Sequence, residues 1–119
     1  MWPLLTKARE ELARLDGVGQ HLPNSQILLR PLQNREAQKS SSLEGTIATP
    51  EQLVLFEINP TDSELDVNEL EAVREVNNYA RASRYHSENA RDIPLSLRLI
   101  RTIHKILLEG VRGSEKTPG

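Results

Sequence analysis

Residues 66–89 read DVNELEAVREVNNYARASRYHSEN, and this stretch predicts one long amphipathic helix. Asp66 and Glu69 have the spacing of a capping box, which starts a helix. Apolar side chains then recur at the helical period along one face: Val67, Leu70, Val73, Val76 and Ala80. Because the pattern extends to about Asn89, a helix of this length decides the fold in favour of helical packing.

The residues before this helix also favour helices. The first helix is predicted from Pro3 to Asp16–Gly17, with a loop following over residues 17–26. Its apolar residues are Leu4, Leu5, Ala8, Leu12 and Leu15. A second, mostly polar helix is predicted over residues 31–45, starting at Pro31 and ending at Gly45. Its candidate anchors to a core are Leu32, Ala37, Leu43 and Ile47.

Two further helices complete the pattern. Thr49, Pro50 and Gln52 are typical of a helix start, and an apolar run follows that we expect in the core. That run is Leu53, Val54, Leu55 and Phe56. The last helix has an apolar stripe and ends at Gly110. The stripe is Leu97, Ile100, Ile103 and Leu107. We predict an all-α fold of four long helices and one short helix.

Composition excludes several functional classes. The chain has 119 residues, a formal net charge of −2 and no cysteine. Bulk charge therefore gives no attraction to nucleic acid or to a membrane surface, and disulfides and thiolate metal sites are excluded. No apolar run reaches transmembrane length, and the N-terminus lacks the layout of a signal peptide. We expect a cytoplasmic protein.

The serine-rich end of the second helix is the candidate site. Ser40 and Glu44 stand four apart, so on a helix they share one face and the hydroxyl can orient the carboxylate. A carboxylate held in one orientation can accept two parallel hydrogen bonds from the guanidinium group of an arginine. A solvated polar helix face explains the same residues, and it is the more frequent explanation of so short a pattern.

No catalytic residue and no metal site is predicted. The histidines His21, His86 and His104 do not have metal-ligand spacing, and His104 reads as a hydrogen-bonded structural side chain. The serine run lacks a nucleophile-elbow pattern. The segment 110–119 contains Lys116, but it does not have the residue order of a phosphate-binding Walker loop.

Four stretches, in order along the chain, together resemble the Fic family ahead of its catalytic motif. Residues 4–24 resemble the start of the family's N-terminal region, and residues 28–57 resemble the segment with its inhibitory helix. The pieces EVNNYARA and PLSLRLIRTIHKILLEGVRGSEKTPG resemble the first helices of the Fic core. The resemblance predicts a Fic N-terminal region over residues 1–60 and an incomplete core over residues 61–119.

The family's inhibitory motif is Ser or Thr, three residues, Glu, then Gly or Asn, and it is matched here by Ser40, Glu44 and Gly45. Members of the family transfer AMP from ATP to a hydroxyl of a target protein, with Mg²⁺. The resemblance implies that Glu44 pairs with the arginine that holds the ATP γ-phosphate. Ser40 would orient the carboxylate, and Gly45 would let the chain leave without crowding the nucleotide.

The family's catalytic signature, His-Pro-Phe-x-Asp-Gly-Asn-Gly-x-Arg, is absent from these 119 residues. We therefore expect an N-terminal regulatory fragment of a protein adenylyltransferase, truncated before that signature, with ATP and Mg²⁺ belonging to the intact relative. Its partner would be the remainder of the Fic core in cis.

The alternative is a stand-alone helical module that inhibits a Fic enzyme in trans. A helical interaction domain with no nucleotide connection is a third hypothesis. An exposed apolar face also favours self-association.

Overall fold

The computed structural model describes residues 1–61 and 64–111. They contain five helices and no strand. These are α1 (Trp2–Gly19), α2 (Ser25–Leu43), α3 (Pro50–Ile58), α4 (Val67–Asn89) and α5 (Leu97–Leu107). The predicted all-α fold is confirmed. The predicted loop with Lys116 lies outside the described residues.

Helix α4 is the element against which α3 and α5 pack. The predicted capping box is present, since Asp66 Oδ1 accepts from the Glu69 backbone at 2.8 Å and Glu69 Oε2 accepts from the Asp66 backbone at 3.2 Å. The predicted end at Asn89 is also confirmed. Of the predicted face, three side chains are fully buried: Val73, Val76 and Ala80. Val67, in the first turn, is 81% exposed, so the fully buried part of this face begins at Val73.

A small apolar cluster joins three helices to each other. Ala37 of α2, Leu53 of α3, and Val76 and Ala80 of α4 pack together and exclude water. Each of these four side chains is at most 1% exposed. Leu99 of α5 is also buried. Helix α2 therefore enters the core through a single small side chain, which limits how strongly apolar packing can hold it.

Helix α2 begins six residues earlier than predicted, at Ser25 instead of Pro31. The side chain of Asn24 accepts a hydrogen bond from the Gln26 backbone at 3.1 Å, the bond expected of a helix cap. Pro31 lies inside the helix, where its ring removes one backbone donor. Only Ala37 of the candidate anchors is buried. The other three are exposed: Leu32, Leu43 and Ile47.

Two other apolar predictions needed correction. The run after Thr49 buries only Leu53, because four consecutive residues point to every side of a helix and α3 meets the core with one side. In α5, Leu97 is 71% exposed and Ile100 is 54% exposed, whereas Leu99 is 2% exposed. Ile103 and Leu107 of the predicted stripe are half-buried, so the buried side of α5 includes Leu99 and excludes Leu97 and Ile100.

The described chain separates into two compact units, Met1–Pro31 and a second that begins at Leu32. Helix α1 runs two residues beyond the predicted end, to Gly19, and buries none of its side chains. The predicted division of the family regions at residue 60 stays a prediction. No helix within residues 1–61 and 64–111 combines the length and the apolar character needed to cross a bilayer.

The Thr49 capping box gives a first testable prediction. Thr49 Oγ1 accepts from the Gln52 backbone at 3.2 Å, and Gln52 Oε1 accepts from the Thr49 backbone at 2.9 Å. We expect Thr49→Ala to lower the free energy of unfolding by about 1 kcal/mol in urea denaturation, because one cap acceptor is lost. Thr49→Ser keeps the acceptor and should restore the wild-type value. An equal loss in both variants would contradict the assignment.

Candidate functional site

The site predicted from the sequence lies where α2 ends. Gly45 adopts a left-handed φ of +86°, which favours glycine. The Gly45 backbone donates to the Ser42 carbonyl at 3.1 Å, and the Thr46 backbone donates to the Ser41 carbonyl at 3.0 Å. This pair of bonds is the Schellman arrangement that closes a helix. Glu44 is therefore the residue at which the chain leaves the helix, and the predicted stop at Gly45 is confirmed.

The turn is fixed to α4 by one side-chain contact. Thr46 Oγ1 donates to Glu75 Oε2 at 3.0 Å in a partly buried position. Because Thr46 follows Gly45 directly, this bond holds the exit of the chain against α4. The position of Glu44 is thereby set by the Schellman turn on one side and by the Thr46–Glu75 hydrogen bond on the other.

The Glu44 side chain is exposed and borders two shallow hollows in the surface. One, of about 310 Å³, lies between the end of α2, α4 and the end of α5. It is lined by Ser40, Ser41, Glu44, Thr46, Glu75, Tyr79, Leu107, Leu108 and Val111. The other, of about 330 Å³, is lined by Glu44, Gly45, Thr46, Asn68, Glu71, Ala72 and Glu75. Neither lining contains an arginine or a lysine.

The charge around Glu44 is therefore negative on its own chain. Among the described residues, the Glu44 carboxylate has no ion-pair or hydrogen-bond partner. The described part of the chain also contains no cluster of three or more metal-ligating side chains. An exposed carboxylate beside other carboxylates suits a cation presented by another surface, and an arginine fork matches its geometry.

The predicted role of Ser40 in orienting Glu44 disagrees with the structure. Ser40 Oγ donates to Glu36 Oε1 at 2.7 Å, one turn in the opposite direction along α2. Glu36 and Glu44 both stand four residues from Ser40, and the hydroxyl bonds the carboxylate on the N-terminal side. Ser40 does share the lining of the hollow with Glu44, so the motif residues are neighbours without a bond between the two side chains.

Asn78 of α4 is a site residue that the sequence did not single out. Its side chain is 2% exposed, and its amide donates to the carbonyls of Leu107 at 3.2 Å and Glu109 at 2.9 Å. Leu107 is the last residue of α5 and lines the hollow beside Glu44, and Glu109 lies in the turn that follows. The sequence contains one sign of this role: Asn78 lies between the apolar residues Val76 and Ala80. That position alone did not predict it, because a solvent-exposed asparagine fits the same pattern.

Two arginines of α4 extend this set of bonds. Arg74 Nη1 donates to the Gly110 carbonyl at 3.0 Å, and Arg81 Nη1 lies 2.7 Å from Glu109 Oε2. Arg74 thus binds a backbone carbonyl and Arg81 a side-chain carboxylate, and both contacts hold the turn that follows α5 against α4. Gly110, predicted as the stop, has a φ of +67°.

The three histidines differ in their exposure to solvent. His21 and His86 are exposed. His104 was predicted to be hydrogen-bonded, but its Nδ1 is buried with no hydrogen-bond partner among the described residues. That result corrects the expectation for this nitrogen, and it gives His104 no place in the lining of the hollows beside Glu44.

The comparison with known proteins agrees with the pattern of residues. A model of the Fic/DOC family N-terminal region matches residues 2–88, which is most of the chain. The chain belongs to this family. The Fic resemblance is thereby confirmed for the N-terminal region, and the matched range includes α1 to α3, the Glu44 turn and nearly all of α4. No curated protein and no solved structure gives a significant match.

Proposed function

We propose that this Fic N-terminal chain is a regulatory segment of a protein adenylyltransferase, and that Glu44 is its autoinhibitory residue. The observation that carries the proposal is the state of the Glu44 carboxylate. It is exposed, fixed at a helix end by a Schellman turn, and without a cationic partner among the described residues. The family match and the Ser40–Glu44–Gly45 pattern support the same assignment.

The proposed action is competition for one arginine. A Fic catalytic core would supply the arginine that binds the γ-phosphate of ATP, and Glu44 would form a charge-assisted pair with it. The γ-phosphate then loses its ligand, and the α-phosphate is not presented to the hydroxyl of the target protein. Gly45 contributes by turning the chain away directly after the carboxylate.

Nucleotide and Mg²⁺ do not fit the described residues of this chain. The hollows beside Glu44 carry carboxylates and no basic side chain, so they would repel a triphosphate. The described residues also hold no metal-ligating cluster. ATP and Mg²⁺ would therefore be bound by the catalytic core, with this chain acting on their binding from outside. That core, in cis, is the proposed partner.

Nucleotide binding tests the proposal. In the complete polypeptide that joins this chain to a Fic catalytic core, we expect Glu44→Gln to tighten ATP binding about tenfold in titration calorimetry. ADP binding should not change, because ADP has no γ-phosphate for the released arginine. An equal change for both nucleotides, or none for ATP, would overturn the proposed mechanism. Inhibition that persists when the chain is supplied separately would favour the module acting in trans.

A further inference from the structure

Apolar packing does not explain what keeps α2, and with it Glu44, on α4. Beyond Pro31, the one buried side chain that α2 contributes is Ala37. Leu32 is 59% exposed and Leu43 is 86% exposed. The amide nitrogen of Gln38 is buried with no hydrogen-bond partner among the described residues, and this opposes docking. Polar contacts must therefore supply much of what holds α2.

Arg84 of α4 makes the best-buried of these contacts. Its Nη1 donates to Asn34 Oδ1 of α2 at 3.1 Å, in a partly buried position. Its Nη2 lies 3.6 Å from Glu57 Oε1 of α3, and the Arg84 and Glu57 side chains are only 18% and 19% exposed. One guanidinium thus links three helices, and a planar fork is suited to hold two partners at once.

Another polar contact between α2 and α4 is weaker. Gln33 Nε2 donates to Ser87 Oγ at 3.4 Å in an exposed position, and neither group is charged. Hydrogen bonds from a charged donor in a partly buried site are stronger than neutral, exposed ones. Asn34 and Gln33 are neighbours on the same helix, so they form a matched pair for comparison.

We propose that the Arg84–Asn34 hydrogen bond sets how often α2 leaves α4, and therefore how often Glu44 is withdrawn from the arginine that it blocks. Asn34 and Arg84 are positioning residues, because they act through α2 and touch neither nucleotide nor target. The functional half of this inference rests on the proposed function of Glu44. The structural half, the attachment of α2, stands on the contacts alone.

Hydrogen exchange tests the structural half in this chain. We expect Asn34→Ala to speed amide exchange in residues 35–44 about tenfold, while amides of α4 and α5 keep their rates. Alanine has the higher helix propensity, so faster exchange in this variant reports lost docking and not a weaker helix. Gln33→Ala should change these rates less than twofold. Equal rates in both variants, or no change in either, would overturn the inference.

A second variant guards against a general loss of folding. Arg84→Lys keeps the positive charge but loses the fork, so we expect faster exchange in α2 with α3 still docked. Faster exchange throughout α2, α3 and α4 would instead show that Arg84 serves the whole fold, and it would count against a specific role for its bond to Asn34.

Measuring AMP transfer distinguishes the functional half of the inference from the proposed function of Glu44. In the complete polypeptide, Asn34→Ala should raise AMP transfer several-fold, and adding it to Glu44→Gly should raise transfer no further, because withdrawing an absent carboxylate has no effect. If Glu44→Gly raises transfer and Asn34→Ala does not, the inference fails while the proposed function stands. If Glu44→Gly has no effect, the proposed function fails, and hydrogen exchange still decides the attachment of α2.

Discussion

On the proposed function, replacing Glu44 with glycine in the complete polypeptide that joins this chain to a Fic catalytic core should raise the rate of AMP transfer by one to two orders of magnitude. A charge-assisted hydrogen bond is worth about 1.5–3 kcal/mol, and each 1.4 kcal/mol corresponds to about tenfold in rate. Removing the carboxylate frees the arginine for the γ-phosphate. The measurement is incorporation of labelled AMP from ATP into protein at saturating target.

The matched control is another carboxylate of the same helix. Glu36 is exposed on α2 and accepts the hydroxyl of Ser40. It borders neither hollow beside Glu44. Glu36→Gln should therefore leave AMP transfer within about twofold of wild type, whereas Glu44→Gln should raise it. A Glu44 variant with an unchanged rate would remove this residue from the mechanism.

Signals that lie within a few residues of one another were read correctly from the sequence. The capping boxes at Thr49 and Asp66, and the stop at Gly45, each form between a side chain or backbone group and its close neighbours. Local chemistry is enough to specify these features. The inhibitory role of Ser40, Glu44 and Gly45 stays a prediction, since it depends on a partner surface and not on close neighbours alone.

The choice of buried face could not be read in the same way. In α5, the rows through Ile100 and through Leu99 both have helical spacing, and only packing against α4 decides between them. Ser40 illustrates the limit within the site, since Glu36 and Glu44 stand equally far along the chain. In the structure the Ser40 hydroxyl donates to Glu36, a choice that sequence spacing alone cannot make.

Asn78 gives the largest effect that we expect on stability. Replacing it with alanine leaves the carbonyls of Leu107 and Glu109 without their donor in a partly buried position. Since an unsatisfied buried polar group costs about 1–3 kcal/mol and these carbonyls are only partly shielded from water, the free energy of unfolding should fall by about 2 kcal/mol. Urea denaturation of this chain, followed by helical circular dichroism, measures the change.

Asn77 supplies the control, because it is the same residue type at the adjacent position of α4 and donates to neither carbonyl. Both alanine variants gain the same helix propensity, so the difference between them isolates the contacts with α5. Asn77→Ala should change the free energy of unfolding by less than about 1 kcal/mol. Equal losses would mean that Asn78 does not hold the end of α5. A loss of stability in Asn78→Ala alone would show that α4 holds the end of α5 in place. Because the end of α5 lines the hollow beside Glu44, Asn78 would then also maintain the shape of that hollow.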